Sequence, residues 1–477
     1  MCTGKDYPMV AFVWRPEDGI SSVLETSHKI GSRAILDLTK KDPNTETFAT
    51  LMPGDSPEGL HIKISPGWLT DRRFEDFLQS AGIKGLWVEL NPVLLPHQAN
   101  EYLDRLVQLS AALNCYPIVG DLDLIDLIVY AYPGIRDIVL KGSEAAGFVS
   151  SENIFVLFSA VRHMVSTHGQ PRNLIVWGGV ATPEAAAAFL AVGCKGIVFE
   201  SLHWLTDLCA IDQRIRDKIS ALRPEHTDLV GLNLHVPCRV FNKGNSRTVK
   251  ELKAFAGSLC GEEIRDEDRR HFAERIQQGY VEPLNSNFSR EELIPLGVEA
   301  AFAQSFVRRF GASSEEAIDR FLGQIEELCK LAPEKEKVFA SSPVAKEMGT
   351  KYAVIQGAMS WITDLPEFAL KVSEAGGLPT IALGSMPESV LSDKLGNIRE
   401  MMGAKPFAVN VITLDENPYR DEQLEWIRSE RPKFAVIAAG DPSHARELLN
   451  IGIEVIYVAP NEKLIELAFS AGVRYVI

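Results

Sequence analysis

Lys141, Glu144 and Phe148 lie in one short stretch, Asp137-Ile-Val-Leu-Lys-Gly-Ser-Glu-Ala-Ala-Gly-Phe-Val-Ser150, where an apolar run breaks into small residues. An ammonium at the end of a buried strand can steady a developing negative charge. A carboxylate three residues on can move a proton, or simply pair with that ammonium, and Lys141 and Glu144 are open to both readings. A second chemical signal is Trp177-Gly-Gly-Val-Ala-Thr-Pro-Glu184. Gly178 and Gly179 leave backbone amides bare for an anion ahead of a helix whose first turn carries positive partial charge, or they merely close a turn. A third is Phe199-Glu-Ser-Leu-His-Trp204. Here Glu200 would repel a phosphate unless turned away, which makes Ser201 and the backbone the expected donors. The polar loop His235 to Arg247 reads as a phosphate contact or as the cap of a helix over 248–255, the cap being the simpler reading.

These groups need strands to hold them. Eight apolar runs recur between residues 9 and 201: MVAFVW, AILDL, HIKIS, LWVEL, YPIVGDL, DIVLKG, LIVWGG and GIVFES. Helical spacing fills the gaps, as in Thr182-Pro-Glu-Ala-Ala-Ala-Ala-Phe-Leu, with a threonine cap and proline in the first turn. Eight strands alternating with helices predict an α/β fold, a (β/α)8 TIM barrel over 1–225, in which ligands meet the carboxyl ends of the strands. An open doubly wound sheet is the runner-up, but no GxGxxG follows the first run.

Residues 226–335 predict a mostly helical connector or cap, ending near the charged stretch Ala332-Pro-Glu-Lys-Glu-Lys-Val. Over 336–477 the strand pattern restarts with YAVIQG, LPTIALG, FAVNVI, FAVIAAG, VIYVAP and Val473-Arg-Tyr-Val-Ile477. LWVELNP aligns with FAVIAAGDP, and Arg136-Asp-Ile-Val with Arg474-Tyr-Val-Ile, a repeat on the scale of a whole domain. Six strands cannot close an eight-stranded barrel, so the second copy reads as truncated and the chain as a piece of a longer polypeptide.

The 477 residues carry a net charge of -15, with no basic stripe, which argues against nucleic acid and against anionic membranes as partners. Seven scattered cysteines without a CxxC pair fit reduced thiols and offer no metal site. The first residues, Met-Cys-Thr-Gly-Lys-Asp-Tyr, form no signal peptide, and no apolar run approaches a membrane span; a cytoplasmic location is expected.

The stretch 137–150, the segment Val176-Trp-Gly-Gly-Val-Ala-Thr-Pro-Glu-Ala-Ala-Ala-Ala-Phe-Leu, and Val354-Ile-Gln-Gly-Ala-Met-Ser-Trp with Phe407-Ala-Val-Asn410 together resemble the nitronate monooxygenase (2-nitropropane dioxygenase) family. These are FMN-binding barrels that include flavin-dependent enoyl reductases. The resemblance implies FMN, held by Gly178, Gly179 and Ser201 in the first barrel, and by Met359 near the ring and Asn410 as a polar contact in the second. It places Phe148 where the family has its catalytic histidine, and Glu200-Ser201 where it has Gly-Thr; Lys141 and Glu144 are the candidate substitutes for the missing base. It further implies an acyl or nitronate substrate. Tandem copies of such barrels in polyketide and polyunsaturated fatty acid synthases extend this to a carrier-tethered acyl group and an acyl carrier protein as partner. A scaffold that has lost its chemistry, and a sugar-phosphate isomerase, are the competing readings.

Overall fold

The computed structural model describes residues 9–41, 60–80, 83–90, 96–168, 170–244, 246–259, 264–384, 386–440 and 442–477. The N-terminal heptapeptide, Cys2, Cys260 and Asp441 fall outside these. The chain divides into two compact units, Met1–Lys330 and Leu331–Ile477.

In the first unit all eight apolar runs become strands of one closed parallel barrel: β1 Met9–Trp14, β2 Arg33–Asp37, β3 His61–Ile64, β4 Gly85–Glu89, β5 Asn114–Val119, β6 Asp137–Lys141, β7 Asn173–Trp177 and β8 Gly196–Phe199. Closure comes from β1 against β8, with Met9 opposite Gly196 and Phe12 opposite Phe199. The strands are continuous apolar runs because both faces are buried. One alternate set of their residues, such as Phe12, Leu36, Ile62, Val88, Leu140, Val176 and Ile197, packs outward on the helices. The other set, such as Val13, Ile35, Trp87, Tyr116, Val139, Ile175 and Val198, fills the barrel interior. The helix Pro183–Ala191 starts where the sequence places it: Thr182 Oγ1 accepts from the Ala185 amide at 3.2 Å and proline occupies the first turn.

The stretch after residue 226 contributes more than helices. Thr227–Val230 and Cys238–Phe241 form an antiparallel hairpin, and Gly147–Phe148 joins it as a third strand opposite Arg239 and Cys238. Helices Arg247–Ser258 and Asp266–Gly279 bury Val249, Leu252, Phe272 and Ile276 on this small sheet. Helix Ala303–Phe310 and the first turns of Ser314–Ala340 then return to the barrel's outer core through Phe306, Phe310 and Phe321.

The second unit is an open parallel sheet of five strands in sequential order, Thr380–Ala382, Ala408–Ile412, Phe434–Ala438, Glu454–Val458 and Tyr475–Val476, where the sequence predicts six. The run 352–357 supplies only a single bridge, Ile355 to Leu378. The ladder stops there because the next donor, the Thr380 amide, is taken at 3.0 Å by the side-chain oxygen of Gln356 and not by a backbone carbonyl.

Candidate functional site

The inward period-2 register of the barrel continues past its apolar layer. Two residues beyond Ile35, His61, Trp87 and Val139 come Asp37, Lys63, Glu89 and Lys141, and Glu200 follows Val198 in the same way. The result is a layer of charge at the carboxyl ends of the strands. Lys63 Nζ lies 3.0 Å from Asp37 and 3.0 Å from Glu89, and Lys141 pairs with the other oxygen of Glu89. The Trp177 ring sits 5.2 Å from the Lys63 ammonium and 5.6 Å from that of Lys141, while its Nε1 donates to Glu200 at 3.3 Å. Both ammoniums thus gain a π-face as well as a carboxylate.

Burial alone would lower Lys63, but Asp37, Glu89 and Glu200 outweigh it and hold the amine well above its ordinary value. Burial would raise Glu89, yet Lys141 and Lys63 pull it down to about 2. Glu200 is raised, burial outweighing the same two lysines. Lys63, so paired, stays protonated and serves as a fixed cation, not as a free-amine nucleophile or base.

The structure separates the sequence candidates. The Lys141–Glu144 pair anticipated from sequence does not form. Lys141 turns inward to Glu89, whereas a Glu144 oxygen accepts from the Ile154 amide at 3.0 Å and caps the helix Ile154–His168. Phe148 leaves the barrel mouth to join the cap sheet, 6.3 Å from the Tyr280 ring, so no base stands in its place. Gly178 and Gly179 both adopt left-handed backbone angles (φ 95° and 69°). Added Cβ atoms would lie 2.8 Å from the Ala145 amide and 2.6 Å from Ile154 Cγ2 respectively. The glycines are thus required by the packing of the barrel's own β6 loop.

Ser201 lies where the donors were expected, but the acceptor comes from the protein. Glu299 Oε1 receives the amides of Glu200, Ser201 and Leu202 at 2.9, 2.7 and 2.7 Å. Glu299 is 4% exposed, and burial pushes it up to about 8 against the opposite pull of the amides. Beside this site, Cys238 Sγ and the Tyr280 hydroxyl lie 2.8 Å apart. With the anion nest after β8 filled by the Glu299 carboxylate, the residues of that loop do not fit an FMN phosphate.

The second unit differs. Thr380, Ala382, Ala408 and Asn410 share one face of its sheet, as the register Thr380 to Ala408 and Ala382 to Asn410 requires. Asn410 Nδ2 donates to the Val436 carbonyl at 3.1 Å, and the buried Thr380 hydroxyl finds no partner among the described residues. Met359 and Trp361, in the loop after the Ile355 bridge, are 47% and 87% exposed. Trp361 and Ala439 hold φ of 70° and 59°, costly for residues with a Cβ, and Ala439 stands just beyond the carboxyl end of the strand Phe434–Ala438.

Asp37, Lys63 and Glu89 were legible as charged residues interrupting AILDL, HIKIS and LWVEL in inward register. No local signal marks Glu299, which acts on residues 97 to 99 positions away.

Residues 341–463 match the family model of nitronate monooxygenase. A probable nitronate monooxygenase from Staphylococcus saprophyticus is 31% identical over 100 residues, covering 20% of this chain and 28% of that protein. The chain therefore spans little more than a quarter of the curated relative it matches. Among solved structures, FabK from Thermotoga maritima aligns at 15% identity with a TM-score of 0.46, covering 70% of this chain and 95% of that one. The enoyl reductase domain of MlnA from Bacillus amyloliquefaciens aligns at 12% identity with a TM-score of 0.49, covering 69% and 96%.

Proposed function

We propose that this chain is an FMN-dependent oxidoreductase of the nitronate monooxygenase and enoyl reductase type, and that its flavin contacts lie in the C-terminal unit. The observation that carries this is the family match over 341–463, which falls within that unit, where the buried Thr380 hydroxyl has no partner among the described residues. Bound flavin would supply the hydride or electron chemistry. The chain's own contribution is to hold and orient: Asn410 and the Thr380 hydroxyl as polar contacts, Met359 and Trp361 as apolar ones. The substrate is an acyl or nitronate compound. Inside a polyketide or fatty acid synthase it would be an acyl group tethered to an acyl carrier protein, in the cytoplasm. The acidic balance of the chain supports a small-molecule substrate, and no helix among the described residues is long and apolar enough to cross a membrane.

The charged, self-packed mouth of the first barrel favours a second reading for that unit alone, a structural barrel without flavin chemistry. The test is the visible spectrum of the whole purified chain after incubation with FMN and desalting. Retained flavin bands that fade in Asn410→Ala and Thr380→Val support the proposal. A colourless protein with native secondary structure refutes it.

A further inference from the structure

We infer that Glu299 is a built-in occupant of the anion nest after β8, and that it closes the first barrel to phosphate-bearing ligands. The nest is the run of three consecutive amides at Glu200, Ser201 and Leu202, converging on one carboxylate oxygen; Ser201 Oγ is 3.4 Å from the same atom. Three amides aimed at one point is the geometry that receives a phosphate oxygen when no side chain fills it. Here a side chain does fill it.

The segment that brings Glu299 is fastened on both sides. Phe241 donates to the Ile294 carbonyl at 2.8 Å, Pro295 bridges Val240, and the Leu296 amide reaches the Arg239 carbonyl, all on the cap hairpin. On the barrel side the Val298 amide donates to the Glu144 carbonyl at 2.8 Å. A Cβ on Gly297 would come within 3.0 Å of that same carbonyl, so the strap lies flat on the β6 loop. Glu144 therefore serves the closure twice, its side chain capping the next helix and its backbone oxygen holding the strap. Ala300 and Ala303, buried in the outer core, fix the far end. A ligand phosphate would have to displace a carboxylate delivered by a strap held at several points. The inference rests on the first unit's geometry and not on the flavin reading.

The test compares the thermal unfolding of the whole chain with and without 10 mM inorganic phosphate. Glu299→Ala empties the nest, and phosphate should raise its midpoint by about 2 °C. Glu299→Gln keeps an oxygen acceptor of the same reach, so it and the wild type should not move. An unresponsive E299A, or a wild type that responds as strongly as E299A, overturns the inference. Hydrogen exchange of the wild type, read by mass spectrometry, gives an answer even if E299A fails to fold. Peptides covering 200–202 should be protected and unchanged by phosphate or FMN, and added protection there would overturn the inference. Protection by FMN at 356–363 and 410 reports separately on the proposed flavin site, and its absence would count against that proposal alone.

Discussion

Replacing Lys63 by methionine isolates the charge layer in the barrel mouth. Lys63 bridges Asp37 and Glu89, each at 3.0 Å, with its own side chain only 5% exposed. At an effective dielectric of about 20, each contact is worth about 5 kcal/mol before desolvation is counted. Methionine keeps the volume but leaves Asp37 with no ion-pair partner among the described residues and Glu89 with Lys141 alone. Removing one member of a fully buried ionic set costs about 3 to 5 kcal/mol, because the stranded partner keeps its desolvation and loses its compensation; the Asp37 and Glu89 side chains are each 23% exposed, which brings the expected cost to about 2 kcal/mol. The same reasoning fixes the pH dependence. In the wild type Glu89 is held at about 2, below its ordinary value near 4.5, so its contribution is fully present above pH 4.5 and is lost as pH falls toward 2. In K63M Glu89 loses one of the two lysines that hold it down and protonates more readily, so the deficit against wild type should shrink between pH 7 and pH 4. Urea unfolding followed by tryptophan fluorescence, with Trp87 and Trp177 inside the barrel, measures both. Adding Asp37→Asn to K63M should recover part of the loss. A K63M deficit under about 1 kcal/mol at pH 7, or one independent of pH, would refute the claim that these charges are buried and mutually dependent.

Gly179→Ala should cost about 2 to 3 kcal/mol by urea titration, combining left-handed strain with the Ile154 collision. Gly193→Ala has similar strain (φ 98°) and open space around it, so about 1 kcal/mol is expected. Glu144→Ala should lower stability by about 1 kcal/mol through the lost cap on the Ile154 amide, with Glu144→Gln nearer wild type. His203, buried against Trp14 with ring centroids 4.2 Å apart, is pushed by burial down to about 4. The unfolded histidine takes its proton near 6.5 while the folded one refuses it, so stability should drop by about 3 kcal/mol as pH falls from 6.5 to 4. His203→Phe should flatten that part of the acid-stability curve.

The barrel was legible because its evidence is local and repeated. Each of the eight runs carries its own period and its own turn, and closure follows from their count. The charged layer was legible in principle, since a single charge at the same inward offset in AILDL, HIKIS and LWVEL is hard to explain on a buried strand without a partner. Which charge meets which was not, because pairing depends on neighbours around the barrel. Lys141 meets Glu89 across 52 residues, not Glu144 across three. Phe148 illustrates the same limit. Its position in the loop after β6 suggested a mouth residue, but the hairpin at 227–241 supplied an edge to pair with and drew it into the cap. The strand at 352–357 failed for a more local reason, the side chain of Gln356 taking the donor that the ladder needed.

The alternation that makes the barrel legible also explains how its chemistry can change while its fold stays. Outward residues such as Phe12, Leu36, Val88 and Leu140 carry the packing against the helices and are indifferent to what the inward top layer holds. That layer is free to exchange a ligand's charges for the protein's own, provided every charge finds a partner. Here Asp37, Lys63, Glu89 and Lys141 satisfy one another, Glu200 takes the Trp177 N–H, and Glu299 takes the amides an anion would use. A barrel that satisfies itself in this way gains little from a bound cofactor, because each new contact must first break an existing one. In the second unit the buried Thr380 hydroxyl has no hydrogen-bond partner among the described residues and Trp361 is exposed, so a ligand meeting either group there would have no internal contact of theirs to break.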